Sequence, residues 1–263
     1  MKRLIQSLQR FSATSTEHVE LLGGLTLRDL GFYVSDAAAV RFMADRRYPI
    51  AQHAFQLECA LHQQRFSAAA APVTPMLWKS SPADAVGCST LYQDEVVTLC
   101  WFVLPPGRVL PLHDHPGMRV WQRVMHGQLH VCSIAVADET RSGGASGVVL
   151  FDGEVGGVGD AVAAAAVQQI ACNSGGVLHE IRNVDATRPA LLVDVISPPY
   201  NQVLSNIPCG YYTAEPADGR TPLSPAPVAD CGVRHPFAAG DAVLLHHRGD
   251  YGGPAMDAYV HLE

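Results

Sequence analysis

Short apolar segments separated by Gly, Pro and Asn fill the chain from about residue 90 onward, a pattern that predicts a protein built mainly from β-strands. The segment VVTLCWFVL (96–104) is continuously apolar and precedes Pro105-Pro106-Gly107, so it predicts a buried strand and then a turn. The alanine-rich segment 161–166 fits either a strand or a helical turn, and 214–236, with five prolines, predicts an irregular loop. Further strands are predicted at 145–153, 160–170, 178–184, 190–197, 241–247 and 258–262. Their spacing favours an antiparallel barrel or sandwich.

Two more strands are predicted around His126-Gly127. RVWQRVM (119–125) and QLHVCSIAV (128–136) are both rich in β-branched and apolar residues, and the dipeptide between them has the composition of a tight turn. We therefore expect a strand, a turn and a strand, with His126 and His130 exposed beside the turn.

The first 90 residues have a helical pattern instead. A stripe with spacing i, i+4, i+7 and i+11 is formed by Ile50, Ala54, Leu57 and Leu61. The sequence therefore predicts a helical extension over residues 1–90 packed on a β-barrel over residues 91–263, the two forming one structural unit.

The N-terminal segment MKRLIQSLQRFSATSTEH is basic and has no acidic residue before Glu17. Leu4, Leu8 and Phe11 lie on one stripe, which predicts an amphipathic helix. The same composition fits a mitochondrial targeting segment. We favour the packed helix and expect a cytoplasmic protein, with a mitochondrial location as the alternative.

Composition narrows the function classes. The chain has 263 residues, of which 48% are hydrophobic, so it is long enough to bury a large core. The net charge of -7 excludes the basic surface that nucleic acids or anionic membranes require. The seven cysteines include no C-x-x-C pair, which is typical of a reducing compartment. We expect a monomer with neither nucleic acid nor membrane as a partner.

The segment LPLHDHPGMRV (110–120) places two histidines two positions apart in an apolar stretch. Side chains at i and i+2 of a strand point to the same face, so His113 and His115 converge on one point. Asp114 points the other way and is expected to hold down the loop. The pair is either a metal clamp, which needs a third ligand, or two polar residues at the end of a strand.

Two spaced motifs supply that third ligand. The first motif of the cupin superfamily is G-x5-H-x-H-x4-E-x6-G, and this chain matches it with one exception, a valine at position 120 where the glutamate is expected. The second motif, G-x2-H-x3-N, is matched by Gly176, His179 and Asn183. The chain therefore resembles the cupins, which implies a mainly β jelly-roll barrel (a double-stranded β-helix) with a metal inside it.

The missing glutamate changes the expected chemistry. His113, His115 and His179 would offer three neutral imidazoles, which suit Fe, Zn, Cu or Ni and leave positions open. Replacing a carboxylate by Val120 raises the net charge of the site by one unit. By charge balance, the site then favours an anionic substrate ligand such as a thiolate.

Longer stretches resemble one branch of the cupins, the thiol dioxygenases that comprise cysteamine (2-aminoethanethiol) dioxygenase and the plant cysteine oxidases. The matching stretches are PLHDHPGM (111–118), GQLHV (127–131), SGGVLHEI (174–181), LLVDVISPPY (191–200) and CGYY (209–212). The resemblance implies that His113, His115 and His179 bind Fe(II), and that both atoms of O2 are added to a thiol to give a sulfinic acid. It implies cysteamine or the N-terminal cysteine of a peptide or protein as substrate, the latter feeding an oxygen-sensing N-degron pathway.

Four further residues are candidates. Asp194 interrupts an apolar strand, where a carboxylate is costly unless it is paired, so it either orients a ligand or binds the substrate amine, or else caps a loop at the strand end. Tyr200 either places its hydroxyl over the iron or packs in a loop. Cys209 and Tyr211 match a pair that some family members crosslink, and we expect the unmodified pair.

Two alternative functions remain open on the sequence. The same histidines could hold Zn or Mn in a cupin isomerase or hydrolase, or the cupin could be a non-catalytic binding module. Free cysteine is the less favoured thiol, because Arg119 is the one weak candidate for a clamp on its carboxylate.

Overall fold

The computed structural model describes residues 2–10, 17–26, 85–139, 144–157, 168–171, 177–185, 190–200, 208–219, 237–249, 251, 253–254 and 256–259. The predicted helical stripe over 50–61, the alanine-rich segment 161–166 and Gly176 lie outside these residues, as does most of the proline-rich segment.

Two helices and eleven strands make up the described chain. The helices are α1 (Lys2–Leu8) and α2 (Glu17–Gly23), and neither has the length and apolarity needed to cross a membrane. The strands are β1 (Val86–Gln93), β2 (Thr98–Leu104), β3 (Val109–Asp114), β4 (Arg119–Glu139), β5 (Gly144–Gly157), β6 (Gln168–Ala171), β7 (Val177–Asn183), β8 (Ala190–Ser197), β9 (Tyr212–Pro216), β10 (Ala242–His247) and β11 (Met256–Tyr259).

The strands form two sheets that share β4. One sheet has the order β11-β1-β2-β8-β4-β6, and the other has β3-β7-β4-β5-β10-β9. All described pairings are antiparallel except that of β1 with β11. Because one continuous strand passes from sheet to sheet, the two sheets curl around a shared interior, and the predicted mainly β, cupin-type barrel is confirmed.

The predicted tight turn at His126-Gly127 is wrong. Both residues lie inside the 21-residue strand β4, which pairs with β8 up to His126 and with β5 from Gly127 onward. The register shifts between Val124 and His126, and Gly127 has a φ of 79°, a conformation that favours glycine. The dipeptide therefore bends a long strand from one sheet to the other instead of reversing the chain.

Two apolar clusters fill the interior of the barrel. Their members are fully or almost fully buried, and burying each aliphatic side chain contributes about 1.5–3 kcal/mol to folding. The first cluster is Val86, Leu104, Leu110, Val124, Leu129, Val131, Ile181, Ala190 and Leu192. The second cluster is Cys100, Met118, Val120, Val177 and Ile196.

The N-terminal helices pack on the outer face of β4. The amphipathic helix expected at the N-terminus is present as α1, in which Leu4 and Leu8 are buried. At the C-terminal end of α2, the Arg123 guanidinium donates hydrogen bonds to the carbonyl of Leu22, inside the helix, and to that of Leu25, just after it, at 2.9 and 2.6 Å. The sheet begins at β1, which starts at residue 86, so the boundary drawn at residue 90 falls inside a strand.

Candidate metal centre

Three histidines meet at one point inside the barrel. Antiparallel pairing of β3 with β7 sets His113 directly opposite His179, and His115 follows two residues later. The Nε2 atom of His179 lies 2.8 Å from Nε2 of His115 and 3.0 Å from Nε2 of His113. The three ligand atoms all lie within 4.8 Å of one another.

Neighbouring groups turn the Nε2 lone pairs toward that point. Nδ1 of His113 lies 2.7 Å from the Pro111 carbonyl, which can only accept, so Nδ1 carries the proton. Nδ1 of His115 contacts the Tyr200 hydroxyl, which in turn donates its proton to the Asp114 carbonyl. That leaves the hydroxyl oxygen to accept from Nδ1 of His115, and Nε2 is again free.

The donor set fits a metal ion. Two nitrogen ligands at right angles around a metal, each about 2.1 Å from it, lie about 3.0 Å apart, close to the observed separations. Burial lowers the pKa of His113, and burial together with the neighbouring imidazoles holds the pKa of His115 and His179 well below the usual value. The imidazoles are therefore neutral near pH 7, which is the form that binds a metal.

Val120 is buried in the second cluster, where a cupin glutamate would otherwise reach the metal. It packs with Met118, Val177 and Ile196. The position that a cupin glutamate would occupy is therefore apolar and offers a metal no anionic ligand.

Tyr200 lies behind His115. Its hydroxyl contacts Nδ1, and the nitrogen that faces the other histidines is Nε2, so the structure does not bring the hydroxyl over the metal position. The ring also packs against the second cluster. Tyr200 therefore acts on the site through the orientation of an imidazole.

Removing that hydroxyl should loosen the metal. We expect Tyr200→Phe to weaken metal affinity about 10–100-fold, the usual cost of losing a group that orients a ligand. Chelator competition on the purified protein measures this without any turnover. Tyr92→Phe, which removes a hydroxyl bonded to Asp94 at 2.7 Å on β1, is the matched control. Equal affinities for the two variants would contradict the orienting role.

Asp114 holds a second segment against the histidines, which confirms that it ties down a loop. Its Oδ1 accepts from the Gly210 amide at 2.7 Å, and its Oδ2 accepts from the Tyr212 hydroxyl at 3.1 Å. A Cβ at Gly210 would lie 2.9 Å from Asp114 Oδ2, so this contact requires glycine. Tyr211 thereby pairs with His113 in an isolated antiparallel β-bridge. The centroids of the two rings lie 6.2 Å apart.

A family model described as PCO_ADO matches residues 21–256. The chain belongs to the PCO_ADO family. One segment is 42% identical over 43 residues to plant cysteine oxidase 1 of Arabidopsis thaliana, and covers 16% of this chain and 15% of that protein. A match of 63 residues is 33% identical to a probable 2-aminoethanethiol dioxygenase of Dictyostelium discoideum, and covers 24% of this chain and 29% of the relative.

Each of these two segments thus spans less than a third of the relative's own length. Among solved structures, oxalate oxidase in complex with the substrate analogue glycolate matches with a TM-score of 0.32 and 20% identity. That match covers 50% of this chain and 59% of the other.

In this PCO_ADO protein Asp194 points into the barrel. It lies in the middle of β8, between Leu192 of the first cluster and Ile196 of the second, so it does not cap a strand end. Its side chain is buried, and Oδ1 has no hydrogen-bond partner among the described residues. Burial raises the pKa of this carboxyl to about 7, and the nearby Gln122 amide opposes the rise.

Cys209 and Tyr211 lie next to each other beside His113. Burial raises the pKa of the Cys209 thiol to about 11, and the Tyr211 hydroxyl opposes that rise. Burial, and then the nearby thiol, raise the pKa of Tyr211. At neutral pH both groups are therefore protonated.

Arg119 lies on the other face of β4. Its neighbours at alternate positions are Trp121, whose ring centroid is 4.4 Å from that of His18, and Arg123, which binds the C-terminal end of α2. Since alternate residues share a face, Arg119 is turned away from the interior. Arg119 is therefore not placed to bind a substrate carboxylate.

Sequence reasoning missed Gln122. It lies between Val120 and Val124, on the inward face of β4, and is paired with Asp194 across the two strands. A polar residue flanked by two valines at i-2 and i+2 was the available signal, because those three positions share one face of a strand.

Proposed function

We propose that the chain is a non-haem Fe(II) thiol dioxygenase that adds both atoms of dioxygen to a thiol and yields a sulfinic acid. One observation carries the proposal: three neutral imidazole nitrogens face one point in the barrel, and Val120 stands where a carboxylate ligand would be expected. Such a site favours an anionic ligand, since the protein supplies none. PCO_ADO membership and the names of the two curated relatives support the same activity.

The chain's own residues would position the reactants. His113, His115 and His179 would hold the iron through Nε2, on rings fixed by the Pro111 carbonyl and the Tyr200 hydroxyl. When bound, Fe(II) supplies the electronic chemistry through which dioxygen reacts, and a positive charge that lowers the pKa of a nearby thiol. The second apolar cluster excludes water from one side. The reaction balances without a reductant, because one thiol and one O2 give one sulfinic acid.

Asp194 would interact with the amine of the substrate. Cysteamine and an N-terminal cysteine both carry an amine two carbons from the sulfur, and a buried carboxylate is the natural acceptor for it. Free cysteine would bring a second carboxylate beside Asp194, and Arg119, the candidate clamp for that carboxylate, is turned away from the interior. We therefore propose cysteamine or a protein N-terminal cysteine as the substrate, the latter linking the enzyme to oxygen sensing through an N-degron.

We propose a cytoplasmic monomer whose chemistry lies within residues 91–263, with the helical part of residues 1–90 packed on the barrel as an extension. Cys209 and Tyr211 would line the His113 side of the site unmodified. An intact mass two hydrogens below the sequence mass would instead indicate a thioether between them.

Oxygen uptake tests the proposed activity directly. Iron-loaded protein should consume O2 with cysteamine or with a Cys-initiated peptide, and the product should gain two oxygen atoms, both labelled when heavy-isotope dioxygen is supplied. A Ser-initiated peptide of the same sequence is the matched control. If neither thiol supports uptake, the chain is a cupin of another kind, either a Zn or Mn isomerase or hydrolase, or a binding module.

A further inference from the structure

Gln122 is a buried polar side chain in an apolar wall. It is 1% exposed, and its inward neighbours on β4 are Val120 of the second cluster and Val124 of the first. Neither its Nε2 nor its Oε1 has a partner within 3.5 Å among the residues that the structure describes, although the amide lies near enough to Asp194 to oppose the rise in the pKa of that carboxyl. Exchanging the amide nitrogen and oxygen would not change this, because neither atom has a partner at hydrogen-bond distance. Leaving both atoms of a buried amide unpaired is costly, so such a group is typical of a place where a ligand binds.

Gln122 lies at the same level of the barrel as the metal centre. On β7, His179 lies between Val177 of the second cluster and Ile181 of the first. Asp194 is placed in the same way on β8, and its Cα is paired with that of Gln122. One polar layer, with histidines on one sheet and Gln122 and Asp194 on the other, therefore separates the two apolar clusters. Facing sheets pack about 10 Å apart, which leaves a small-molecule gap between the two sides.

The Nε2 group of a buried carboxamide needs an acceptor, and the carbonyl of a peptide bond is one. In a substrate with an N-terminal cysteine, the first carbonyl is attached to the carbon that bears the amine. Cysteamine has no group at this position. Free cysteine has a carboxylate there, which carries the same charge as Asp194.

We propose that Gln122 is a specificity-determining residue that recognises the first peptide bond of a substrate with an N-terminal cysteine. Its Nε2 donates to the carbonyl of that cysteine; the N–H of the same trans peptide bond points the opposite way and is not part of this contact. This inference rests on the proposed thiol dioxygenase activity and assigns its preferred substrate class, a peptide terminus over a free aminothiol.

The test compares two substrates in Gln122→Met, which keeps the side-chain length and removes both hydrogen-bonding atoms. Oxygen uptake gives kcat/KM for cysteamine and for a Cys-initiated peptide. Loss of one neutral hydrogen bond should lower the value for the peptide about fivefold or more, mainly through KM. The value for cysteamine should stay within about twofold, because that substrate does not make this bond. The variant's cysteamine activity also reports that it is folded.

Gln128→Met is the matched control, since Gln128 lies on the outward face of the same strand and bonds Glu154. It should leave both substrates unaffected. An equal loss for cysteamine and peptide in Gln122→Met would overturn the proposal, because Gln122 would then act only by positioning Asp194. An unchanged peptide value would overturn it as well. If the wild-type protein turns over neither substrate, the proposed function itself fails, an outcome visible before any variant is compared.

Discussion

His179→Ala should abolish both iron retention and oxygen uptake. The Nε2 atom of His179 lies within 3.0 Å of Nε2 of both other histidines, so this imidazole closes the group. Without it, only His113 and His115 remain as donors, and the group of three nitrogen ligands that fits a metal is lost. We expect affinity to fall by more than the roughly 100-fold that loss of an orienting group costs. Iron per protein chain after desalting, and chelator competition, measure this.

The control for this variant is a histidine outside the barrel interior. His246 is exposed on β10 and lies 3.0 Å from Glu215, and His246→Ala should keep a full complement of iron. If His179→Ala also kept stoichiometric iron at wild-type affinity, the assignment of the third ligand would be wrong. Retained iron without turnover would place His179 in the reaction but outside the ligand set.

The metal centre was predictable because its geometry is encoded locally. An i, i+2 spacing puts two imidazoles on one face of any strand. The position of His179 came from a second spaced motif, and antiparallel pairing of β3 with β7 makes that motif meaningful. The strand boundaries at 190–197 also agree with the pattern, since Ala190–Ser197 is apolar except at Asp194 and Ser197 and is buried on both faces up to Ile196.

The path of β4 was not predictable in this way. Gly127 adopts a positive φ both in tight turns and in bends of long strands, and the local sequence does not distinguish them. The error carried over to the histidines beside it. His126 and His130 were expected to be exposed, yet they are 9% and 3% exposed, and His130 lies 3.0 Å from Asp152. Because β4 continues past Gly127, neighbouring strands cover both histidines, whereas a turn would have left them exposed.

The sequence pattern did not single out Gln122 for a related reason. A strand with one solvent-exposed face alternates clearly between apolar and polar residues. Here Trp121 and Arg123, on the outer face, are buried by the N-terminal segment, so both faces of this part of β4 are covered. The segment VWQRV therefore shows no clean alternation, and the one inward polar residue does not stand out until the partner of the outer face is known.

Asp194→Asn should stabilise the metal-free protein at high pH and yet impair it as an enzyme. The pKa of Asp194 is raised from 3.8 to about 7, so the folded state binds a proton that the unfolded state has already released. The free energy of unfolding of the wild type therefore falls as the pH rises from about 4 to about 7. The full shift corresponds to at most about 4 kcal/mol, and the uncharged amide of the variant carries none of this penalty.

Denaturant unfolding of metal-free protein at pH 5 and pH 8 measures the effect. The stability advantage of Asp194→Asn over wild type should grow between these two pH values, because other titrating groups are common to both proteins. Asp218→Asn, at an exposed turn position, is the matched control and should show no such growth. The metal must be removed, since a bound cation would lower the pKa of the carboxyl.

The activity of the same variant should move in the opposite direction. With Asp194→Asn, turnover of cysteamine and of a Cys-initiated peptide should fall by at least about 10-fold, while iron content stays unchanged. A residue that lowers stability and raises activity is kept for its chemistry, because a purely structural carboxyl would move both quantities in the same direction. If Asp194→Asn instead unfolds more easily at pH 8, the carboxylate is a paired structural group, and the substrate amine must bind elsewhere.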